Sequence, residues 1–359
     1  MSPLSKRVEE AGIAGVRRKA RPYEIRPTDF YTGCDRVRDL FGKLINAPAS
    51  RIAIIPSASY GLAAVAKNLR LARGQNVVVA HDQFPANMYA WRRSTAESGG
   101  EMRVVRAPAD DHRRGRLWNE AVLEAIDGRT GVVALGNVHW TDGTRFDLER
   151  IGERAREVGA ALVVDGTQSV GAMPTDVSVF RPDALICAAY KWLTGPYAIG
   201  VAYLGERFDD GVPLEETWIG REGSENFARL VDYQDRYRSG MARYDMGECS
   251  NFALVPMLIA ALEQLTEWTV PGIAEYCRKL SEPLIAGVQE RGFRVEDAEW
   301  RGAHLFGLRM PPNRNLEDLH TKLEARHVFV SVRGSVIRVA PHVYNDQSDI
   351  HALLEAIGS

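Results

Sequence analysis

Apolar residues fall along this chain in two alternating rhythms. Short, nearly continuous apolar runs stand at 52–55, 75–80, 102–105, 131–135, 161–164, 184–187 and 199–204. Each has the length of a strand, and the runs 131–135, 161–164 and 184–187 read as strands buried on both faces. Between them, Val37, Leu40, Phe41 and Leu44, and then the stretches 62–69, 117–126 and 147–158, place apolar residues at helical spacing. Strands alternating with helices predict right-handed βαβ units and a mostly parallel sheet, an α/β fold.

The rhythm changes after residue 209. Residues 209–251 read as a long irregular stretch, followed by a helix at 252–268, a break at Pro271-Gly272 and a second helix at 273–289. Strands near 305–308, 329–332 and 336–339 alternate with helices near 316–325 and 349–357. This predicts a large domain over 1–255 and a small α+β domain over 256–359, with the first residues able to pack on the second.

Composition narrows the setting. At 359 residues the chain can bury a large core. Lys and Arg number 45 against 47 Asp and Glu, a net charge of -2 that argues against nucleic acid as a partner. Cys34, Cys187, Cys249 and Cys277 form no CxxC pair, so neither a disulfide framework nor a metal site is expected, and a reducing cytoplasm is the natural setting. No run approaches the roughly 18 apolar residues of a membrane span, and no secretory leader is recognised.

Chemistry enters at the ends of two runs. The run 161–164 ends in Asp165-Gly166 and the run 184–187 leads to Tyr190-Lys191, and open α/β sheets gather ligands at the C-terminal ends of their strands. A carboxylate and an amine 26 residues apart would thus share one rim. Together they suit pyridoxal phosphate: the lysine forms a Schiff base with its aldehyde, and the aspartate keeps its ring nitrogen protonated. Earlier, Pro56-Ser57-Ala58-Ser59-Tyr60-Gly61 links a strand to a helix start, a turn that suits a phosphate.

Asp165-Gly166-Thr167-Gln168, Gly171, Pro174, Tyr190-Lys191-Trp192 and Gly195-Pro196 resemble the signature of the class V aminotransferase group of fold-type I pyridoxal-phosphate enzymes. That group includes cysteine desulfurases, kynureninases and isopenicillin N epimerase-like proteins. The resemblance spans nearly the whole chain and implies a mostly parallel seven-stranded sheet in the large domain. It also implies a homodimer with shared active sites. Ala58, Ser59 and Tyr190 would hold the cofactor phosphate, Phe84 would stack on its ring, and Gln168 would bond the ring hydroxyl. Trp218 would reach the phosphate held by the other subunit. Arg338, which interrupts an apolar strand, would hold the substrate carboxylate, since a guanidinium so placed needs an anion. The loop after 131–135 offers Asn137, His139 or Trp140 near the ring hydroxyl, and His139 is also a candidate proton shuttle at the substrate. Relatives carry an Asn-Ala-Ala-like turn before a Pro-Leu-like pair, and this chain reads as beginning just after that turn.

The expected function is that of an enzyme acting on an α-amino acid, first an aminotransferase, with a C–S or C–C lyase or an epimerase as alternatives. Persulfide chemistry ranks lower because Gly334-Ser335, not a cysteine, precedes Arg338. Kynureninase proper ranks lower because Gln168 replaces a histidine. A nicotinamide-dependent dehydrogenase would need a G-x-G-x-x-G turn that is missing after the early strand. A catalytically silent regulatory protein would have little reason to keep both Asp165 and Lys191.

Overall fold

The structure, a computed structural model, describes residues 1–109, 113–312 and 314–358. Among the described residues, ten strands are formed: β1 (Ile52–Ile55), β2 (Asn76–Ala80), β3 (Glu101–Val105), β4 (Thr130–Gly136), β5 (Ala161–Asp165), β6 (Ala184–Ala188), β7 (Gly200–Leu204), β8 (Phe306–Arg309), β9 (Ser331–Arg333) and β10 (Val336–Val339). Six helices lie within or before the first sheet's sequence: α1 (Lys6–Lys19), α2 (Asp29–Ile45), α3 (Ala58–Asn68), α4 (Ala86–Ser98), α5 (Arg114–Ala125) and α6 (Leu148–Glu157). The short α7 (Val177–Phe180) precedes β6. Four more follow the sheet: α8 (Leu254–Trp268), α9 (Val270–Glu290), α10 (Leu316–Ala325) and α11 (Gln347–Gly358).

The first seven strands form one sheet in the order β1-β7-β6-β5-β4-β2-β3. Only β7 runs against its neighbours. The chain from β6 to β7 contains no crossover helix, and without one the next strand must double back. Every residue of β2, β5 and β6 is buried, which is why these strands read as largely apolar runs. Helices cover both faces: one core cluster joins Phe41, Val133, Leu162 and Leu258, and another joins Ile55, Leu62, Trp91 and Val163.

The remaining strands make an antiparallel sheet, β8-β10-β9, whose own apolar cluster draws on α9, α10 and α11. Helix α1 packs along α8: Arg7 meets Glu267 at 2.6 Å and Glu263 at 3.1 Å, and Val8 packs on Ala260 and Ala261. The break between the long helices falls at Thr269, with φ of 60°, and not at Pro271-Gly272. Proline is tolerated in a first turn, where its missing N–H has no helical acceptor to lose. The Thr269 hydroxyl caps α9 by accepting from Gly272 N at 3.2 Å. Among the described residues, no helix is long and apolar enough to cross a membrane.

Candidate active site

The ends of the parallel strands frame a cavity of about 190 Å³. Asp165 closes β5, paired in register with Gly136 of β4 and Ile186 of β6. Its Oδ1 accepts from Thr167 N at 3.0 Å, and the Thr167 hydroxyl in turn accepts from Ala188 N at 3.2 Å. The acidic strand end is thereby tied to the segment that carries the lysine. Gly171 brings the two still closer: its φ is +97°, and a Cβ there would meet the Trp192 carbonyl oxygen at 2.3 Å.

Lys191 stands on a tight loop between β6 and β7. Thr194 N donates to the Lys191 carbonyl at 3.0 Å and Gly195 N to that of Ala189 at 2.9 Å. Thr194 and Ala198 hold left-handed conformations, with φ of 52° and 63°, and so does Asp82, at 53°, just before the loop bearing Phe84. Non-glycine residues in that region are costly, and such strain gathers where a loop has to aim a side chain. Here it aims Lys191 and Phe84 at each other: Nζ lies 5.3 Å from the Phe84 ring centroid and 5.8 Å from that of Tyr190. Burial, opposed by Asp165 and reinforced by Arg338 and Arg333, brings the lysine down to about 8.

Opposite stands the start of α3. Ser57 Oγ caps the helix by accepting from Tyr60 N at 3.1 Å, and the Ser57 carbonyl accepts from Gly61 N at 3.2 Å. Both bonds leave the N–H groups of Ala58 and Ser59 for a ligand, and both residues line the cavity.

Ala58, Ser59, Phe84, Asp165, Gln168, Tyr190 and Lys191 thus meet at one cavity. Gln168 is held from two sides: its Oε1 accepts from Trp192 Nε1 at 3.2 Å, and its carbonyl accepts from His304 Nε2 at 2.7 Å. Arg338 borders an adjoining space of about 80 Å³ that shares Gln168 and Lys191. Its Nη1 donates to the Trp140 carbonyl at 2.6 Å, and burial and nearby Arg333 push it down to about 10.

Two candidates lie elsewhere. His139 turns away from the cavity: its Nε2 donates to the His81 carbonyl at 3.0 Å, its Nδ1 lies 2.7 Å from the Thr141 hydroxyl, and its ring packs on Trp118. Trp140, next in sequence, lines the cavity instead and meets Phe84 edge to face with centroids 5.4 Å apart. Trp218 packs with Phe30 and Phe227, outside its own chain's cavity. Among the other residues lining the cavity, Gln83, Thr167 and Tyr197 were given no role of their own from the sequence. Gln83 and Thr167 sit beside residues that were given one, and that adjacency was the available signal. Tyr197 announces itself only through the ring of Tyr190, 4.6 Å away.

The family model for class-V aminotransferases matches residues 21–353. An uncharacterized aminotransferase YcbU of Bacillus subtilis is 27% identical over 90% of this chain and 82% of its own. A probable cysteine desulfurase of Methanothermobacter thermautotrophicus is 25% identical over 89% of this chain and 82% of its own. In fold, the chain is similar to the apo cysteine desulfurase of Thermococcus onnurineus, with a TM-score of 0.82, 20% identity and coverage of 99% of this chain and 91% of the other. With an acid, a lysine and a helix start at one rim and a family match along nearly its whole length, the chain belongs to the class-V aminotransferases, enzymes dependent on pyridoxal phosphate.

Proposed function

We propose that the protein is an aminotransferase acting on an α-amino acid, with Lys191 as the group that binds the cofactor and moves protons. The observation carrying this reading is the lining of the cavity. It presents one amine able to give and take a proton near neutral pH, and no cysteine is among the residues lining it. All four cysteines are buried, and burial raises the thiols of Cys187 and Cys277. A desulfurase needs a thiolate at the substrate, so this argues against persulfide chemistry.

The residues fit the cofactor. Ala58 and Ser59 offer free N–H groups at a helix start, where the dipole favours a phosphate. Gln83 Nε2 lines the same cavity, buried and with no acceptor among the described residues. Pyridoxal phosphate, when bound, supplies an aldehyde for the substrate amine and a ring that draws electrons from the bonds at Cα.

Asp165 keeps a proton on the ring nitrogen. Tyr190 adds a hydroxyl to the phosphate cradle. Phe84 covers one ring face and excludes water from it, while Gln168 bonds the ring hydroxyl. Arg338 holds the substrate carboxylate and so fixes which Cα bond stands towards Lys191. With the cofactor bound, Lys191 would act as the general base that moves the proton at the substrate Cα. In this reading two chains pair in a reducing cytoplasm, and Trp218 of the partner subunit completes the phosphate site.

A C–S lyase is the second reading, favoured by the relatives named as cysteine desulfurases. The test is the visible spectrum of the purified protein with pyridoxal phosphate, beside Lys191→Ala, before and after a panel of amino acids. Conversion to the pyridoxamine phosphate form with release of a keto acid supports transamination. Release of sulfide with the original band restored supports the lyase. A protein that never takes up the cofactor sinks both.

A further inference from the structure

Arg338 has a companion. Strands β9 and β10 pair so that Arg338 stands opposite Ser331 and Val336 opposite Arg333. With side chains alternating along a strand, Arg333 and Arg338 share one face as diagonal neighbours, about 7–8 Å apart. Both clasp the same cavity-lining residue: Arg338 donates to the Trp140 carbonyl, and the Arg333 guanidinium lies 5.5 Å over the Trp140 ring. Their remaining bonds are thin. Arg333 Nη1 donates to the Val332 carbonyl at 2.9 Å and Arg338 Nη2 lies 3.4 Å from Ser331 Oγ, while Nε of each is buried without an acceptor. Among the described residues, neither guanidinium meets a carboxylate. Two part-buried cations side by side, without a protein anion, are costly unless ligand acids neutralise them.

We propose that Arg333 is a specificity-determining residue that receives an acid group on the substrate side chain, so that the substrate is a short α-amino dicarboxylic acid. Arg338 takes the α-carboxylate and Arg333 the distal one. The inference rests on the proposed α-amino acid reading of the cavity.

The test uses two unreactive acids on the cofactor-loaded protein, glutarate with two carboxylates and butyrate with one, measured by calorimetry in wild type, Arg333→Gln, Arg333→Lys and Arg338→Gln. The expected result is that wild type binds glutarate on the order of tenfold tighter than butyrate, the scale of a charge-assisted bond. Arg333→Gln abolishes that preference without changing butyrate binding, and Arg333→Lys retains part of it. Equal binding of the two acids by wild type overturns the proposal, as does an equal weakening of both by Arg333→Gln. Failure of Arg338→Gln to weaken butyrate overturns the carboxylate reading of the cavity itself. The two failures are therefore distinct, and the spectral response to amino acids tests transamination independently of either.

Discussion

Lys191 Nζ stands 5.3 Å over the ring of Phe84, although the two residues come from loops after different strands, 107 positions apart. A planar cofactor joined to that amine would have an aromatic wall beside it. Phe84→Leu keeps an apolar wall but loses ring stacking, worth about 0.5–1.5 kcal/mol. The variant should release pyridoxal phosphate several-fold faster, measured by loss of visible absorbance after dilution into a cofactor trap. Unchanged release would remove Phe84 from the cofactor site.

Cofactor loading should follow the free-amine fraction of Lys191. With the amine brought down to about 8, that fraction rises roughly tenfold between pH 7 and pH 9 and then levels off. A lysine at its usual value would still be climbing at pH 10. Stopped-flow measurement of pyridoxal phosphate uptake by the apo protein separates the two curves. The same shift makes the apo protein gain stability as pH rises from about 8 to about 10, because the unfolded chain holds the proton that the folded one has shed.

Removing the Arg338 guanidinium should weaken amino-acid binding by about 1.5–3 kcal/mol, the scale of a charge-assisted bond. Arg338→Gln should therefore raise KM roughly ten- to hundredfold while the affinity for pyridoxal phosphate stays near that of wild type. Loss of cofactor in equal measure would show a structural role instead.

Asp142 ties the cavity loop to the second sheet. It meets Arg114 of α5 at 2.8 Å and Arg309 of β8 at 3.1 Å, and its Oδ1 accepts from Thr144 N at 3.1 Å. Burial works to raise this carboxyl, but His139, Arg114 and Arg309 outweigh it and hold the group well below the carboxylate range. A carboxyl lowered by folding stabilises above its unfolded value, near 4, and that stability is lost as pH falls towards the folded one. Asp142→Asn should thus cost about 3–5 kcal/mol at pH 7. In thermal melts the gap between variant and wild type should shrink steadily below pH 4.

Arg38 and Asp245 form a buried pair beneath β1. Arg38 Nε donates to the Ile52 carbonyl at 3.1 Å, Nη2 donates to Asp245, and Asp245 Oδ1 accepts from Ile54 N at 2.8 Å. Breaking the pair from one side strands a charge, so Arg38→Met should destabilise by about 3–5 kcal/mol. The double variant Arg38→Met/Asp245→Leu should recover part of that loss in chemical denaturation. No recovery would mean that the backbone bonds to β1, and not the charges, hold the pair's value.

The sequence by itself determined the alternation of buried strands and amphipathic helices, because spacing is local: an unbroken run such as 161–164, too short for a helix and closed by Asp165-Gly166, reads as a two-sided strand. It also determined which strand ends carry an acid and an amine, and which turn opens a helix with free N–H groups. Only the tertiary structure decided the direction of loop side chains. His139 and Trp140 are adjacent in sequence, yet one faces Trp118 in the core and the other the cavity. What fixes them are ring bonds to a distant loop, His139 Nε2 to the His81 carbonyl at 3.0 Å and Trp140 Nε1 to the Asp82 carbonyl at 2.6 Å, each 58 residues away. The approach of Cys34 Sγ to Cys249 Sγ at 3.8 Å arises likewise from the packing of α2 on a distant loop. Such contacts depend on which distant segments share a surface, and local spacing carries no record of that.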